Sequence, residues 1–338
     1  MKKKHTKSFK KKLTIGILLL LFVFSVIFYR DSWIRIMNGL QLVTPTEIAV
    51  SSFLAVSAYI VEGMTIFCLM STVIPGAFAP EGIRIAFLCE FYRLTTLGNG
   101  AGIAEIHYMH KKGIETGNAA LLTMLQYMWK KIAILVLGGI SFLVLSSGIH
   151  SKAILREYSV FTAWGFLGTI AVIAAFACLI FSGRIASAVN WGLDRLSEKF
   201  PSGQEHFLQW KKQILLLNQS GRDILRQKRR MLSVFLFQIQ KLLLFYSIPM
   251  YLLWGKTSLT AVECAALMAL VYMLSGVIPA PSGVGSLEFA FLLLFGKFAA
   301  YDTAIPVILV YRFATWIVPF LLGGIVAALS LICRKATT

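Results

Sequence analysis

Seven ionisable side chains stand in stretches otherwise too apolar to hold charge: Glu62, Glu105, Lys130, Lys131, Lys241, Glu288 and Arg312. Burying such a group at the centre of a bilayer costs roughly 2.5–3.5 kcal/mol even on lenient scales, so each needs a partner, a cavity or a function. Lys130 and Lys131 fall about twelve residues into one apolar run, and Arg312 about nine into another. Glu105 and Glu288 each follow a glycine, Gly102 and Gly285, by three residues. A glutamate at the third position of a helix can accept the N-cap amide and complements the positive helix end. The other chemistry open to these groups is recognition. Two acids with Arg312, Lys130 and Lys131 would line charged pockets for an anionic or zwitterionic headgroup. Free amides at two irregular tips, Gly98 to Gly102 and Pro279, Ala280, Pro281, Ser282, Gly283, Val284, Gly285, would add a nest for a phosphate. Glu62 and Lys241 fit a structural ion pair or snorkelling better than a binding role.

Enzyme signatures are weak. Gly255-Lys256-Thr257 has the end of a phosphate-binding loop, but Met250 stands where its first glycine belongs. His107 and His110 lie three apart near Glu105, on a basic segment where interfacial side chains are a better reading than metal ligands. The five cysteines are scattered singly through apolar stretches and behave as small hydrophobes. No catalytic residue, metal or other cofactor is expected.

The elements that must position the charges follow from composition. Of 338 residues, 57% are hydrophobic and 14% charged, against roughly 25% charged in soluble domains, with a mean hydropathy of +0.75. A water-soluble globule is excluded. Lys and Arg number 33 against 15 Asp and Glu, a surplus that would fit a nucleic-acid ligand in a soluble protein. Here seven lysines crowd residues 2–12, ten cations and four anions fall in 182–230, and Arg334 and Lys335 lie near the C-terminal end. These segments flank apolar spans, the positive-inside pattern, and place both termini and the central loop in the cytoplasm of a multi-pass protein of the plasma membrane, with no nucleic-acid partner.

A bilayer core of roughly 30 Å needs about 20 apolar residues in a helix. Six segments qualify: 13–29, 48–74, 118–147, 159–181, 231–254 and 303–332. The first follows a signal-like basic head but has no small-residue cleavage site, so it is read as a retained span. Two further apolar stretches, 83–112 and 262–298, are interrupted by the glycine-rich and proline-rich tips. Both read as re-entrant helical hairpins, since irregular backbone at membrane depth must line protein or a water-filled cavity.

An offset of 183 residues carries Gly102 to Gly285, Glu105 to Glu288, span 48–74 to 231–257 and span 118–147 to 301–330. The expected fold is therefore an all-α polytopic membrane protein. It has six full spans and two re-entrant hairpins in an inverted repeat. One copy covers 13–147 and the other 159–332, with a basic, amphipathic cytoplasmic insertion at 182–230. Inverted repeats built on broken helices are the architecture of many secondary transporters, with the substrate near the midplane.

The run Pro279 to Glu288, with Gly98 to Glu105 and the following His107-Tyr108-Met109-His110-Lys111-Lys112-Gly113-Ile114, resembles the transmembrane region of lysylphosphatidylglycerol synthases, the flippase half of the multiple peptide resistance factor. The resemblance covers nearly the whole chain. It departs at Thr95-Thr96, where a Thr-Pro is common, and at Gly102-Ile103-Ala104. It implies movement of aminoacylated phosphatidylglycerol between leaflets and resistance to cationic peptides, with the lysyltransferase activity residing in a separate soluble domain. The expected partners are membrane phospholipids, anionic or aminoacylated. A separate synthase or glycosyltransferase and a second copy of the chain are further candidates. The leading reading is a lipid transporter driven by a lipid gradient, membrane potential or protons through Glu105 or Glu288. The alternative is an enzyme, or a membrane subunit of one, in lysylphosphatidylglycerol or polyprenyl-phosphate-linked lipid synthesis.

Overall fold

The computed structural model describes residues 43–96, 100–147, 157–181, 220–278 and 285–336, with Gln41 and Arg195 besides. The basic segment 2–12, the expected span 13–29, most of the insertion 182–230, and the tip residues Gly98, Pro279, Pro281, Ser282 and Gly283 lie outside the described residues. Helix dominates, and no strand occurs among the described residues. We label α1 (Pro45–Met70), α2 (Ala79–Thr95), α3 (Gly100–Lys111), α4 (Thr116–Ser147), α5 (Ser159–Phe181), α6 (Lys228–Leu252), α7 (Ala261–Ser275), α8 (Ser286–Phe295), α9 (Tyr301–Arg312) and α10 (Val318–Ala336). A π-helical turn, Phe313–Ile317, joins α9 to α10.

Five described segments are long and apolar enough to cross a bilayer: α1, α4, α5 over Ser159–Ile180, α6, and the continuous run Tyr301–Ser330. They coincide with five of the six expected spans. Between them lie the short pairs α2–α3 and α7–α8, each packed helix against helix. The starts of α1 and α6, α2 and α7, α3 and α8, and α4 and α9 are separated by 183, 182, 186 and 185 residues.

Side-chain contacts sort the helix termini onto two ends of the bundle. At one end, Arg230 at the start of α6 donates to the Ser71 carbonyl after α1, and Lys112 after α3 pairs with Glu81 at the start of α2. Ala327 and Ser330 of α10 line a cavity shared with that pair. At the other end, Lys256 after α6 pairs with Glu47 at the start of α1 at 2.6 Å, and Lys297 after α8 pairs with Glu157 before α5 at 3.0 Å. The outer ends of α2–α3 therefore belong to the first end of the bundle, and those of α7–α8 to the second.

Local sequence explains the starts. Thr44 with Glu47 and Thr260 with Glu263 form reciprocal capping boxes at α1 and α7. The α1–α2 crossing depends on glycine. A Cβ on Gly63 would lie 2.3 Å from the Ile83 Cα, and one on Gly82 would lie 2.3 Å from the Gly63 carbonyl oxygen. On the opposite side of α2, a Cβ on Gly323 of α10 would sit 2.2 Å from the Phe87 carbonyl oxygen. Small residues of this kind let helices approach where lipid offers no hydrophobic drive for association. Around these crossings the buried apolar residues form two clusters. One is centred on α6–α9 and contains Phe245, Leu267, Phe291 and Tyr311; the other joins α1–α4 and contains Leu69, Ile85, Met109 and Leu122.

Candidate functional site

Seven helices and the π turn bring polar groups to one cavity of about 150 Å³. Its lining includes four cations from four helices: Arg93 of α2, Lys130 of α4, Lys241 of α6 and Arg312 of α9. Hydroxyls from Tyr59, Tyr272, Ser275, Ser286, Tyr311 and Thr315 complete the polar wall, with Phe245, Leu287 and Trp316 as its apolar part.

Three of the four cations are held by carboxylates. Arg312 donates from Nε to Glu288 Oε1 at 2.6 Å and from a terminal guanidinium nitrogen to Oε2 at 2.7 Å, a bidentate fork. The guanidinium also lies 4.1 Å from the centre of the Trp316 ring. Glu288 in turn accepts the Gly285 amide at 2.9 Å. The reach back to the N-cap that the sequence predicts is thus present for Glu288. Gly285 has a φ of +86°, a conformation that suits glycine. Arg93 pairs with Glu90 one turn earlier at 2.9 Å. Lys241 pairs with Glu62 at 2.8 Å, and Gln126 and Gln238 donate to the same carboxylate at 2.9 and 3.2 Å. That buried network bears out the structural pairing expected of Glu62 and Lys241. Among the described residues the Lys130 ammonium has neither a carboxylate nor a hydrogen-bond partner.

The π turn follows Arg312 directly, and such turns widen a helix where a side chain or ligand must be accommodated. A carbonyl within it, that of Thr315, accepts the buried Tyr59 hydroxyl at 2.9 Å. Tyr272 and Tyr311 share a hydrogen bond at the same wall.

The other expected site residues fall elsewhere. Lys131 points away from the cavity toward the C-terminal end of α7, where its ammonium lies 3.5 Å from the Gly276 carbonyl oxygen and 5.5 Å from the Tyr127 ring centre. The last turn of a helix is a favourable place for a cation. Glu105 is buried on α3 but is not at the third helical position. The helix begins earlier, at Gly100, whose amide donates to the Thr96 hydroxyl at 2.7 Å, so Glu105 lies more than a turn inside. Glu105 pairs with neither Lys130 nor Lys131. A Cβ on Gly102 would meet only the Thr123 methyl, at 3.9 Å, so no close approach demands glycine there. His110 is used locally, its Nδ1 lying 3.0 Å from the Ile114 carbonyl oxygen. Among the described residues no group of His, Cys, Asp and Glu could hold a metal ion.

Sequence reasoning passed over Arg93, Glu90, Tyr59, Tyr272 and Tyr311. The available signal was Glu90 and Arg93 at helical spacing of three inside an apolar stretch, a pattern that marks a paired charge within a membrane.

A second, larger cavity of about 550 Å³ opens at the first end of the bundle, between α2, α3 and α10. Glu81, Arg84, Tyr92, His107, Tyr108, Lys111 and Lys112 line it, over Ile85, Leu88 and Ala327. Its inner wall carries the Tyr92 and Tyr108 hydroxyls, 3.4 Å apart.

Five apolar spans enclosing paired charges and a polar cavity define a multi-pass integral membrane protein. A search of curated proteins found no match. The family model for the lysylphosphatidylglycerol synthase transmembrane region matches residues 12–323, and the chain belongs to that family.

Proposed function

We propose that the protein moves a phosphate-bearing lipid, of phosphatidylglycerol type or its aminoacylated form, between leaflets of the membrane. The observation that carries this reading is the central cavity, which holds four cations against three paired carboxylates and leaves Lys130 to meet an incoming anion. An ammonium within apolar spans that shares its nearest carboxylate, Glu62, with Lys241 is expensive unless a ligand's charge completes it. The cavity, about 150 Å³, is large enough for several water-sized groups, which suits a phosphodiester.

In this reading α2–α3 and α7–α8 are re-entrant hairpins entering from opposite faces, and the two halves of the chain form an inverted repeat. The near-constant spacing of the helix starts and the opposite bundle ends to which the two pairs belong support it. Rocking of one repeat against the other would open the central cavity to each side in turn. The positive-inside distribution makes the end carrying Lys112 and Arg230 the cytoplasmic one.

The test is leaflet-resolved movement of fluorescent phosphatidylglycerol and its lysyl derivative in proteoliposomes, wild type against Lys130→Gln and Glu288→Gln. Headgroup-dependent movement lost in both folded variants is the expected result. No movement of either lipid by folded wild-type protein would overturn the reading, and would favour a subunit working with a separate synthase.

A further inference from the structure

The larger cavity, about 550 Å³ at the first end of the bundle, falls within the roughly 300–1,000 Å³ of small-ligand sites. It is a wedge between helices. α10 touches α2 where Gly323 meets the Phe87 carbonyl, and about one and two turns further on Ala327 and Ser330 line the space that opens. Along α2 the lining runs from Glu81 to Tyr92, which at 1.5 Å per residue is roughly 16 Å. Three cations line it, Arg84, Lys111 and Lys112, against one carboxylate, that of Glu81, which Lys112 already holds. Among the described residues Arg84 and Lys111 have no carboxylate partner, and the Lys111 ammonium lies over the Tyr108 ring, 5.2 Å from its centre. The lining therefore presents two uncommitted positive charges and no uncommitted negative one.

Three kinds of surface meet in this wedge. The cations attract an anion, the Tyr92 and Tyr108 hydroxyls, 3.4 Å apart, offer hydrogen bonds to hydroxyl groups, and Ile85, Leu88 and Ala327 form an apolar floor. The opposite face of α10 exposes Leu321, Ile325 and Leu329, each by more than half, as a surface for acyl chains. A free phosphate would use the cations alone, whereas a phospholipid with a hydroxyl-bearing headgroup uses all of these surfaces. A lysyl ester on that headgroup would bring in an ammonium that no uncommitted carboxylate of the lining meets and that Arg84 and Lys111 repel. We propose that this cavity binds the headgroup of an anionic phospholipid of phosphatidylglycerol type, its phosphate held by Arg84 and Lys111 and its hydroxyls by Tyr92 and Tyr108, and that it rejects the aminoacylated form. Tyr92 of this cavity and Arg93 of the central one are consecutive residues of α2, so the site is also where lipid enters on its way to the central cavity. The entry role rests on the transport reading above, whereas the binding site does not.

The test is photo-crosslinking of the full chain in phosphatidylcholine nanodiscs, using phosphatidylglycerol with a diazirine near the start of one acyl chain and peptide mass spectrometry as the readout. Crosslinks are expected on α2 and α3 in excess over α5, whose exposed Val160, Trp164 and Leu167 report contact with ordinary bilayer lipid. Unlabelled phosphatidylglycerol should displace the probe, and lysyl-phosphatidylglycerol and inorganic phosphate should not. Arg84 and Lys111 are exposed, so Arg84→Gln and Lys111→Gln should fold, and each should weaken the apparent affinity about tenfold, the loss of one charge-assisted hydrogen bond. Unchanged crosslinking in the folded double variant would overturn the site. Equal displacement by inorganic phosphate would overturn the lipid assignment, and equal displacement by lysyl-phosphatidylglycerol would overturn the discrimination. Leaflet-resolved movement of fluorescent phosphatidylglycerol separates this site from the transport reading. Lys130→Gln should keep the crosslinks on α2 and α3 while losing movement. Crosslinks without movement in wild type would leave the site standing and remove the entry role together with the transport reading; movement without crosslinks would remove the site and leave that reading intact.

Discussion

Lys130 separates stability from function at the scale of one side chain. Its ammonium lies within an apolar span with no ion-pair or hydrogen-bond partner among the described residues, the Glu62 carboxylate that attracts it being bonded to Lys241, so Lys130→Met should stabilise the folded protein, by up to about 2.5 kcal/mol. The same substitution removes the only cation of the cavity not already held by a carboxylate among the described residues, and headgroup-dependent lipid movement should fall to background. A raised Tm with lost transport would identify a binding group; a lowered Tm would identify a structural one. Glu62 and Lys241 should behave oppositely. Glu62→Gln alone leaves a buried ammonium and should cost about 3–5 kcal/mol, much of which Glu62→Gln with Lys241→Met should recover, as a double-mutant cycle on thermal stability would show. Arg312→Lys should fail to substitute, because an ammonium can neither make the two-pronged contact with Glu288 nor stack flat on Trp316. Much of this was legible in the sequence. Charges in apolar runs are rare enough to mark Lys130, Glu288 and Arg312 directly, and Glu288 meets Arg312 of the last span, whereas Glu105 meets neither Lys130 nor Lys131. Tyr59, Tyr272 and Tyr311 were not legible, because a tyrosine in a span carries no hydropathy signal that separates a cavity wall from an ordinary core position.

At the scale of helices, α2 comes into close backbone contact with a helix on each side, beside the ring contacts Phe87–Tyr59 and Phe91–Phe320. Gly63 and Gly82 set its distance from α1, and Gly323 sets its distance from α10. Placing methyl groups at these contacts forces the helices apart, because the atoms they would strike are backbone. Gly63→Ala or Gly323→Ala should each cost about 1–3 kcal/mol and lower the yield of folded protein in detergent. Since α2 carries Arg93 into the central cavity, a surviving variant should also lose lipid movement. Gly102→Ala is the control, since its nearest neighbour would be a methyl at 3.9 Å, and it should be nearly neutral. Hydropathy located these elements because length and apolarity alone define a span. It misjudged where α3 begins, because Thr96 caps Gly100 from outside the helix and moves Glu105 away from the terminus at which a glycine-based reading puts it.

For the whole molecule, the two ends of the bundle carry distinct sets of ion pairs, and these sets fix which helix pairs share a side. Lys112 with Glu81 belongs to the end where α1 finishes and α6 starts; Lys297 with Glu157 belongs to the end where α1 starts and α6 finishes. If α1, α4, α5, α6 and the α9–α10 run all cross the bilayer, these two pairs must lie on opposite faces. Single cysteines replacing Lys112 or Lys297 in a cysteine-free background should then react with a membrane-impermeant maleimide from opposite sides. The position 112 thiol should be shielded in intact cells and exposed in inverted vesicles, since α6 starts at that end, at the close of the basic stretch 182–230 of the sequence. Position 297 should show the reverse. Labelling of both from one face would mean that at least one apolar helix does not cross, and the opposed hairpins and the alternating exposure of the cavity would fall with it. The outcome depends on the order of helices and not on any particular cavity contact, so it tests the architecture independently of the substrate.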